Sequence, residues 1–280
     1  MIDAHVHVWD LARRDYDWLA GEDRALHRDF TFADWAAAAT PLGIDRAVLV
    51  QAAPTAAETE YLLSVAHANT EQVLGVVGWV ELTDSDARTQ LERFAADPLG
   101  VGVRPWLQAI EDPDWILRSD VGEGLDAIED LGLLYEALAL PAHLEPLIRV
   151  VEARPGLRVV LDHMAKPDIA HGGLEGWSAD LRRLAEAGDV VCKLSGLVSE
   201  AGERTSAADL RPYVDVALDA FGPERVMWGS DWPVVSAVVT YAQWHDLART
   251  LTPAAHHEQI FERTAERVYG RDRHAQRGNA

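Results

Sequence analysis

Short runs of β-branched and other apolar residues recur along the chain, at Ile2–Val8, Ala47–Gln51, Val73–Val80, Val101–Arg104, Leu134–Leu138, Arg158–Asp162, Val190–Leu194 and Arg225–Gly229. Between them lie alanine-, leucine- and glutamate-rich segments of helical character: Phe32–Ala39, Ala57–Asn69, Ala87–Ala96, Gly124–Asp130, Leu144–Ala153, Trp177–Ala187 and Ala207–Phe221. Strands alternating with helices predict βαβ units and a parallel sheet. Eight such units over about 250 residues match the dimensions of a (β/α)8 TIM-type barrel. Gly and Pro punctuate the joints, as in Asp97-Pro98-Leu99-Gly100 and Phe221-Gly222-Pro223. A doubly wound open sheet would carry a Gly-rich turn after its first strand, where His5, His7 and Trp9 stand instead. The expected organisation is one α/β barrel domain over residues 1–270 and a polar tail over 271–280. The irregular, aromatic segment Asp10–Thr31 is expected to cap the barrel mouth.

In such a barrel, function collects where the strands end. The first run carries His5 and His7, which share one strand face while Ala4, Val6 and Val8 share the other. Further along the rim come Arg104 with Trp106 and Gln108, then Tyr135 and Glu136. Asp162-His163-Met164 follows, with Lys166-Pro167 just beyond, then Lys193 and Ser195-Gly196, and last Gly229-Ser230-Asp231-Trp232-Pro233. Nearly every strand thus delivers a titratable group to one end. Each residue taken alone has a plainer reading. Asp231 suits a turn or an N-cap, Arg104 and Lys193 suit ion pairs with Glu136 or Asp162, and Trp106 and Trp232 suit packing.

Composition narrows the partners. With 46 acidic against 25 basic residues the formal net charge is −21, which argues against nucleic acid and anionic membranes and disfavours polyanionic substrates. No apolar run reaches the roughly eighteen residues of a membrane span. No basic, apolar leader precedes the first strand, so a secretory signal is not expected. The single cysteine, Cys192, cannot form an internal disulfide and sits among apolar residues, which fits a reducing cytoplasm. A homo-oligomer is compatible with the sequence, which does not reveal one.

The ordered set Asp-x-His-x-His at the start, Val103-Arg104, Asp162-His163-Met164-x-Lys166-Pro167, Lys193-Leu194-Ser195-Gly196-Leu197 and Gly229-Ser230-Asp231-Trp232-Pro233 resembles the amidohydrolase superfamily. The resemblance runs from Ile2 to about Tyr269. It is to the branch that contains sugar lactonases of the fuconolactonase and rhamnonolactonase kinds and the pyrone-dicarboxylate lactonase. It implies that His5, His7, His163 and Asp231 surround the reacting carbonyl or hold one divalent metal, and that Asp231 deprotonates the attacking water. It implies also that Arg104 and Lys193 bind substrate oxygens. Lys166 adds a further cation at the mouth, and Trp18, Trp106 and Trp232 are candidates for a wall stacking on a ring. There are departures as well. No lysine suits a bridge between two metals at the end of the fourth or fifth strand, and Lys193 stands where relatives offer histidine or arginine. Both argue against a binuclear site and for a less acidic substrate. Thr264 stands where relatives often carry asparagine.

The expected activity is hydrolysis of a sugar-acid lactone, of the L-fucono- or L-rhamnono-lactone type. Asp231 would activate water, and the imidazoles with Lys193 or Arg104 would stabilise the carbonyl oxygen. Three imidazoles and a carboxylate form an acceptable single-zinc set. The branch includes members that need no metal, so the expectation is a site able to bind zinc whose turnover does not depend on it. A zinc-dependent decarboxylase, a pyrone-dicarboxylate lactonase and a non-catalytic metal- or sugar-binding barrel remain as alternatives.

Overall fold

The computed structural model describes residues 1–270; the tail expected at 271–280 lies outside the described residues. Eight strands form one sheet in sequential order: β1 (Ile2–Val6), β2 (Arg46–Val50), β3 (Val73–Gly78), β4 (Gly100–Val103), β5 (Leu134–Ala137), β6 (Arg158–Leu161), β7 (Val190–Leu194) and β8 (Val226–Trp228). Every neighbouring pair is parallel. The seam between β8 and β1 is closed by the segment that follows β8. There Val6 pairs with Trp232, the His7 N–H donates to the Trp232 carbonyl at 2.8 Å, and the Asp231 N–H donates to the His5 carbonyl at 3.0 Å. The chain is thus a (β/α)8 barrel.

Helices α1 (Phe32–Ala39), α2 (Ala56–Ala68), α3 (Ala87–Ala96), α4 (Ser119–Asp130), α5 (Leu144–Ala153), α6 (Glu175–Ala187) and α7 (Ala207–Phe221) fall where the sequence pattern places them. Several start on side-chain caps: Thr31 and Asp34 form a capping box at α1, while Thr55 and Ser206 cap α2 and α7. Two helices escape the alternation, α8 (Tyr241–Leu251) and α9 (Thr264–Tyr269). Helix α9 is only six residues long and continues a π-helical turn over Gln259–Arg263, too short for a periodic signal of its own. Among the described residues no helix is long and apolar enough to cross a membrane.

Two apolar layers hold the barrel. Ile2, Ala4, Val48, Val50, Leu74, Val77, Val101, Leu134, Val160, Val191 and Met227 fill the interior, and Ala265, Val268 and Tyr269 of α9 close its floor. The other face of the strands packs under the helices, with Val6, Leu49, Val76, Leu161 and Trp228 among its residues. The period of two carries the interior upward. Two residues beyond Leu134, Val160 and Val191 stand Glu136, Asp162 and Lys193, all fully buried.

One expectation about faces needs correction. Ala4 packs with Ile2 in the interior rather than with Val6 and Val8, which lie in the helix-facing layer. The β1–β2 register shifts between Asp3 and Val6, so strict alternation breaks there and both Ala4 and His5 turn inward. Most strands also end before their predicted ends, at Val50, Val103, Leu161 and Trp228 instead of Gln51, Arg104, Asp162 and Gly229. The ladder stops where the chain bends to present polar groups at the rim.

Candidate active site

Asp3, the first residue of the opening motif, does not face the cavity. Its carboxylate, fully buried, accepts from the Ser230 N–H at 2.8 Å, the Tyr241 hydroxyl at 2.9 Å and the Trp35 indole at 3.1 Å. This ties β1 to the turn after β8 and to helices α1 and α8, which sets His5 beside Asp231. Gly229 permits the approach: a Cβ there would lie 2.7 Å from the His5 Cβ.

His163 is aimed by unusual backbone. Residues His163, Met164, Ala165 and Lys166 all have left-handed φ, at 51°, 54°, 56° and 49°, and none is glycine. Such a conformation costs roughly 1–2 kcal/mol per L-residue, so packing must impose it. Burial of Met164 and Ala165, a 2.7 Å bond from the Trp177 indole to the Met164 carbonyl, and a 2.8 Å bond from the Lys166 N–H to the His163 carbonyl hold it. The His163 ring lies so close to Gly196 that a Cβ there would be 2.8 Å from it. Asp231 also has a left-handed φ, 58°. Strained backbone thus coincides with two groups that face the cavity.

These groups meet. Asp231 Oδ1 lies 3.3 Å from His7 Nε2, 3.7 Å from His5 Nε2 and 4.0 Å from His163 Nε2, and the two Nε2 atoms of His5 and His7 are 3.2 Å apart. Outer partners orient the rings. His7 Nδ1 donates to the Val50 carbonyl at 2.8 Å, and His163 Nδ1 bonds the Ser195 hydroxyl at 2.8 Å. Both Nε2 atoms are thereby turned to the site, the arrangement that orients histidine ligands of a metal. Donor atoms of His5, His163 and Asp231 all lie within 4.8 Å of one another, so the residues present suit one divalent ion.

Burial dominates the electrostatics. It pushes the His163 imidazole down to about 4, against the pull of Asp231 and Asp162. His5 falls well below the ordinary histidine range for the same reason, only partly offset by Asp162 and reinforced by Lys193. Burial alone would raise Asp231, yet the facing imidazoles, His163 foremost and then His7 and His5, together hold its carboxyl below the ordinary range. Because burial keeps His5 and His163 in the neutral form, ring N–H dipoles rather than full imidazolium charges hold the Asp231 anion.

The cavity above has a volume of about 130 Å³. That is below the roughly 300–1,000 Å³ of sites for drug-sized ligands and suits a single-ring molecule. His7, His163, Asp231, Arg104, Lys166 and Trp106 line it, as do Trp18 and Glu22 from the capping segment and Ala52, Gln108, Leu138 and Val234. The capping segment is anchored over α2, with Trp18 Nε1 donating to the Ala52 carbonyl at 2.7 Å and the Tyr16 hydroxyl donating to Glu58 at 2.5 Å.

Two of the expected substrate contacts lie elsewhere. Lys193 is fully buried beneath the imidazoles, paired with Glu136 at 2.5 Å and Asp162 at 3.1 Å, so its inward position on β7 puts it below the cavity rather than in it. Trp232 is turned away to pack edge-on against Phe30 with ring centroids 5.3 Å apart, because its backbone pairs with β1. His5, also fully buried, sits under His7 and reaches the cavity only through it and Asp231. Gln51 is a residue the sequence reading missed. Its amide donates to the Arg104 carbonyl at 2.8 Å, its carbonyl accepts from Arg104 Nη2 at 2.5 Å, and its side-chain oxygen accepts from the Trp106 indole at 3.0 Å. Its place at the end of β2 was the available signal.

A (β/α)8 barrel with imidazoles gathered about one carboxylate at its mouth sets out the class of protein to which the chain belongs. The chain belongs to the amidohydrolase family, whose model matches residues 2–271. It is 42% identical over 233 residues to an L-fucono-1,5-lactonase of Burkholderia ambifaria, covering 83% of this chain and 80% of that one. It is 32% identical to an L-fucono-1,5-lactonase of Burkholderia multivorans over 96% of this chain and 95% of the relative. Among solved structures, a Burkholderia multivorans amidohydrolase with bound zinc superposes with a TM-score of 0.87 at 32% identity, over 96% of this chain and 98% of that one.

Proposed function

We propose that the protein hydrolyses the lactone of a sugar acid, of the L-fucono-1,5-lactone type, with Asp231 as the base that activates water. It is a lactone-hydrolysing enzyme. The observation that carries the mechanism is the convergence of His5, His7 and His163 on the Asp231 carboxylate at the floor of a cavity sized for one ring. Asp231 takes a proton from water as the water oxygen bonds to the lactone carbonyl carbon. Arg104 and the His163 imidazole, both lining the cavity, face the oxygen on which negative charge develops. Collapse breaks the ring C–O bond, and the proton held by Asp231 passes to the departing alkoxide, leaving an open hydroxy acid.

The charges at the mouth favour a neutral substrate. Arg104 is engaged by Asp162 at 3.2 Å and Lys166 by Glu200 at 3.1 Å, while Glu22 and Asp231 add carboxylates to the lining. A dicarboxylate would meet two anions and two cations already paired. Trp18 and Trp106 offer the ring its apolar wall.

His5, His163 and Asp231, with His7 beside them, would hold one divalent metal, which when bound would polarise the carbonyl and acidify water. We take turnover not to depend on it, because Asp231 can itself activate water and the Arg104 guanidinium, though paired with Asp162, still lines the cavity. A pH-indicator assay over a panel of aldonolactones tests both statements. Metal-stripped protein should open at least one lactone, and Asp231→Asn should lose about 10²–10⁴-fold in rate. Parental rates in Asp231→Asn would refute the base. Turnover abolished by chelation and restored by zinc would overturn metal independence. Release of CO₂ in place of ring opening would identify a decarboxylase instead.

A further inference from the structure

Below the mouth, Lys193 Nζ lies 3.2 Å from His5 Nδ1, with Glu136 Oε2 at 2.5 Å and Asp162 Oδ1 at 3.1 Å. An ammonium has hydrogens to give and no acceptor, so the contact with His5 is a hydrogen bond only if Nδ1 carries the lone pair. The competing arrangement would have His5 Nδ1–H donate to Asp162 Oδ1, 3.4 Å away. At 3.4 Å that pair is the longer contact, and Asp162 Oδ1 instead faces the Lys193 ammonium at 3.1 Å.

The cavity side needs the same proton. The Val50 carbonyl can only accept, so His7 carries its hydrogen on Nδ1 and turns a lone pair at Nε2 toward the site. This lone pair lies 3.3 Å from the Asp231 carboxylate, two acceptors face to face. His5 Nε2, 3.2 Å from His7 Nε2 and 3.7 Å from Asp231 Oδ1, is the neighbour placed to put a hydrogen between them. Arg104 Nη1 also approaches His5 Nε2, at 3.4 Å, and as an obligate donor it favours the opposite tautomer; the Lys193 contact with His5 Nδ1 is the shorter of the two, at 3.2 Å. Protons then run in one direction, from Lys193 to His5, from His5 to His7, and from His7 to the Val50 carbonyl.

We propose that Lys193 is a positioning residue: by donating to His5 Nδ1 it places the His5 hydrogen on Nε2, aimed at His7 and Asp231, and so makes His5 a poor metal ligand. A metal at the mouth needs the lone pair of that same nitrogen. Lys193 therefore biases the site toward the metal-free state in which the lactonase reading has it work, and the inference rests on that reading.

The test is made on the full chain with histidine labelled in ¹⁵N, the His5 signals being assigned by their loss in His5→Asn. In the parent, His5 is expected as the Nε2–H tautomer. In Lys193→Met it should shift to Nδ1–H, and zinc titrated against a chromophoric chelator should bind about 10–100-fold more tightly. Removing Lys193 strands two buried carboxylates, so Lys193→Met/Glu136→Gln is made beside it to reduce the unpaired charge, and the same two readouts apply. A parent His5 with hydrogen on Nδ1, or zinc affinity unchanged in the folded variants, overturns the proposal. Loss of lactone opening in metal-stripped parent would defeat the metal-independent reading while leaving the tautomer result to stand or fall separately.

Discussion

The two ends of the barrel are built from the same strands on opposite principles. At the floor, Leu134, Val160, Val191 and Met227 meet Ala265 and Val268 of α9 in an apolar layer. Two residues higher on three of those strands, Glu136, Asp162 and Lys193 pair with one another, and above them three imidazoles surround a carboxylate. The floor is held mainly by burial, with the Tyr269 hydroxyl donating upward to Glu136. The mouth holds groups whose neutral or charged state depends on each neighbour, on backbone that L-residues ordinarily avoid. The comparison teaches where stability and chemistry separate: the floor can be damaged without altering the reaction, and the mouth relaxed without loss of the fold.

The largest effect expected from testing this separation is at the floor. Leu134→Ala should destabilise the protein by about 2–5 kcal/mol through lost transfer energy and a residual cavity. Lactone turnover per folded molecule should stay at the parental value. A denaturation curve paired with active-site-normalised rates reads both, and a large fall in turnover would show the two ends to be coupled.

An intermediate effect belongs to the capping segment. Burial raises Glu58 to about 7 from an ordinary value of 4.5, with the Tyr16 and Ala52 hydrogen bonds opposing. The folded state therefore prefers the protonated acid. The resulting stability is complete below pH 4.5 and is lost as pH climbs toward 7, by at most about 1.4 kcal/mol per unit. Glu58→Gln, which keeps the shape and the bonding capacity, should remove that slope. Urea midpoints at several pH values would show it, and identical slopes in parent and variant would contradict the assignment.

The smallest effect sharpens the picture of strain. Ala165, buried with φ of 56°, presents only a methyl group. Ala165→Gly should cost little packing and relieve about 1 kcal/mol of left-handed strain, leaving the melting temperature equal or higher. A clear fall would mean that the His163–Lys166 turn is not strained in the sense argued.

Much of this was legible beforehand, residue by residue. The boundaries of α1, α3, α5 and α7 follow from apolar spacing, reinforced by side-chain caps at α1 and α7, and the eight-fold alternation specifies the barrel. The strand ends announced His7, Arg104, Trp106, His163, Lys166 and Asp231, all of which line the cavity. Gln51 was equally announced, at the end of β2, and passed over because a neutral amide carries no titratable signal. Lys193 was visible as an inward residue on β7, and only its depth was hidden.

Periodicity and residue type determine which side chains point into the barrel wherever a strand runs without a register shift, because an unbroken strand repeats every two residues. What they leave open is height along the barrel axis, and height depends on register. The shift within β1 turns Ala4 and His5 inward together, and the left-handed run at 163–166 lifts one histidine to the mouth. Both are local conformations of ordinary residues, stabilised by partners distant in the chain such as Trp177, Ser230 and Tyr241. Tertiary packing alone decided that Lys193 lies under His5 rather than against the substrate. Its partners Glu136 and Asp162 come from other strands, and their positions exist only once the barrel has closed.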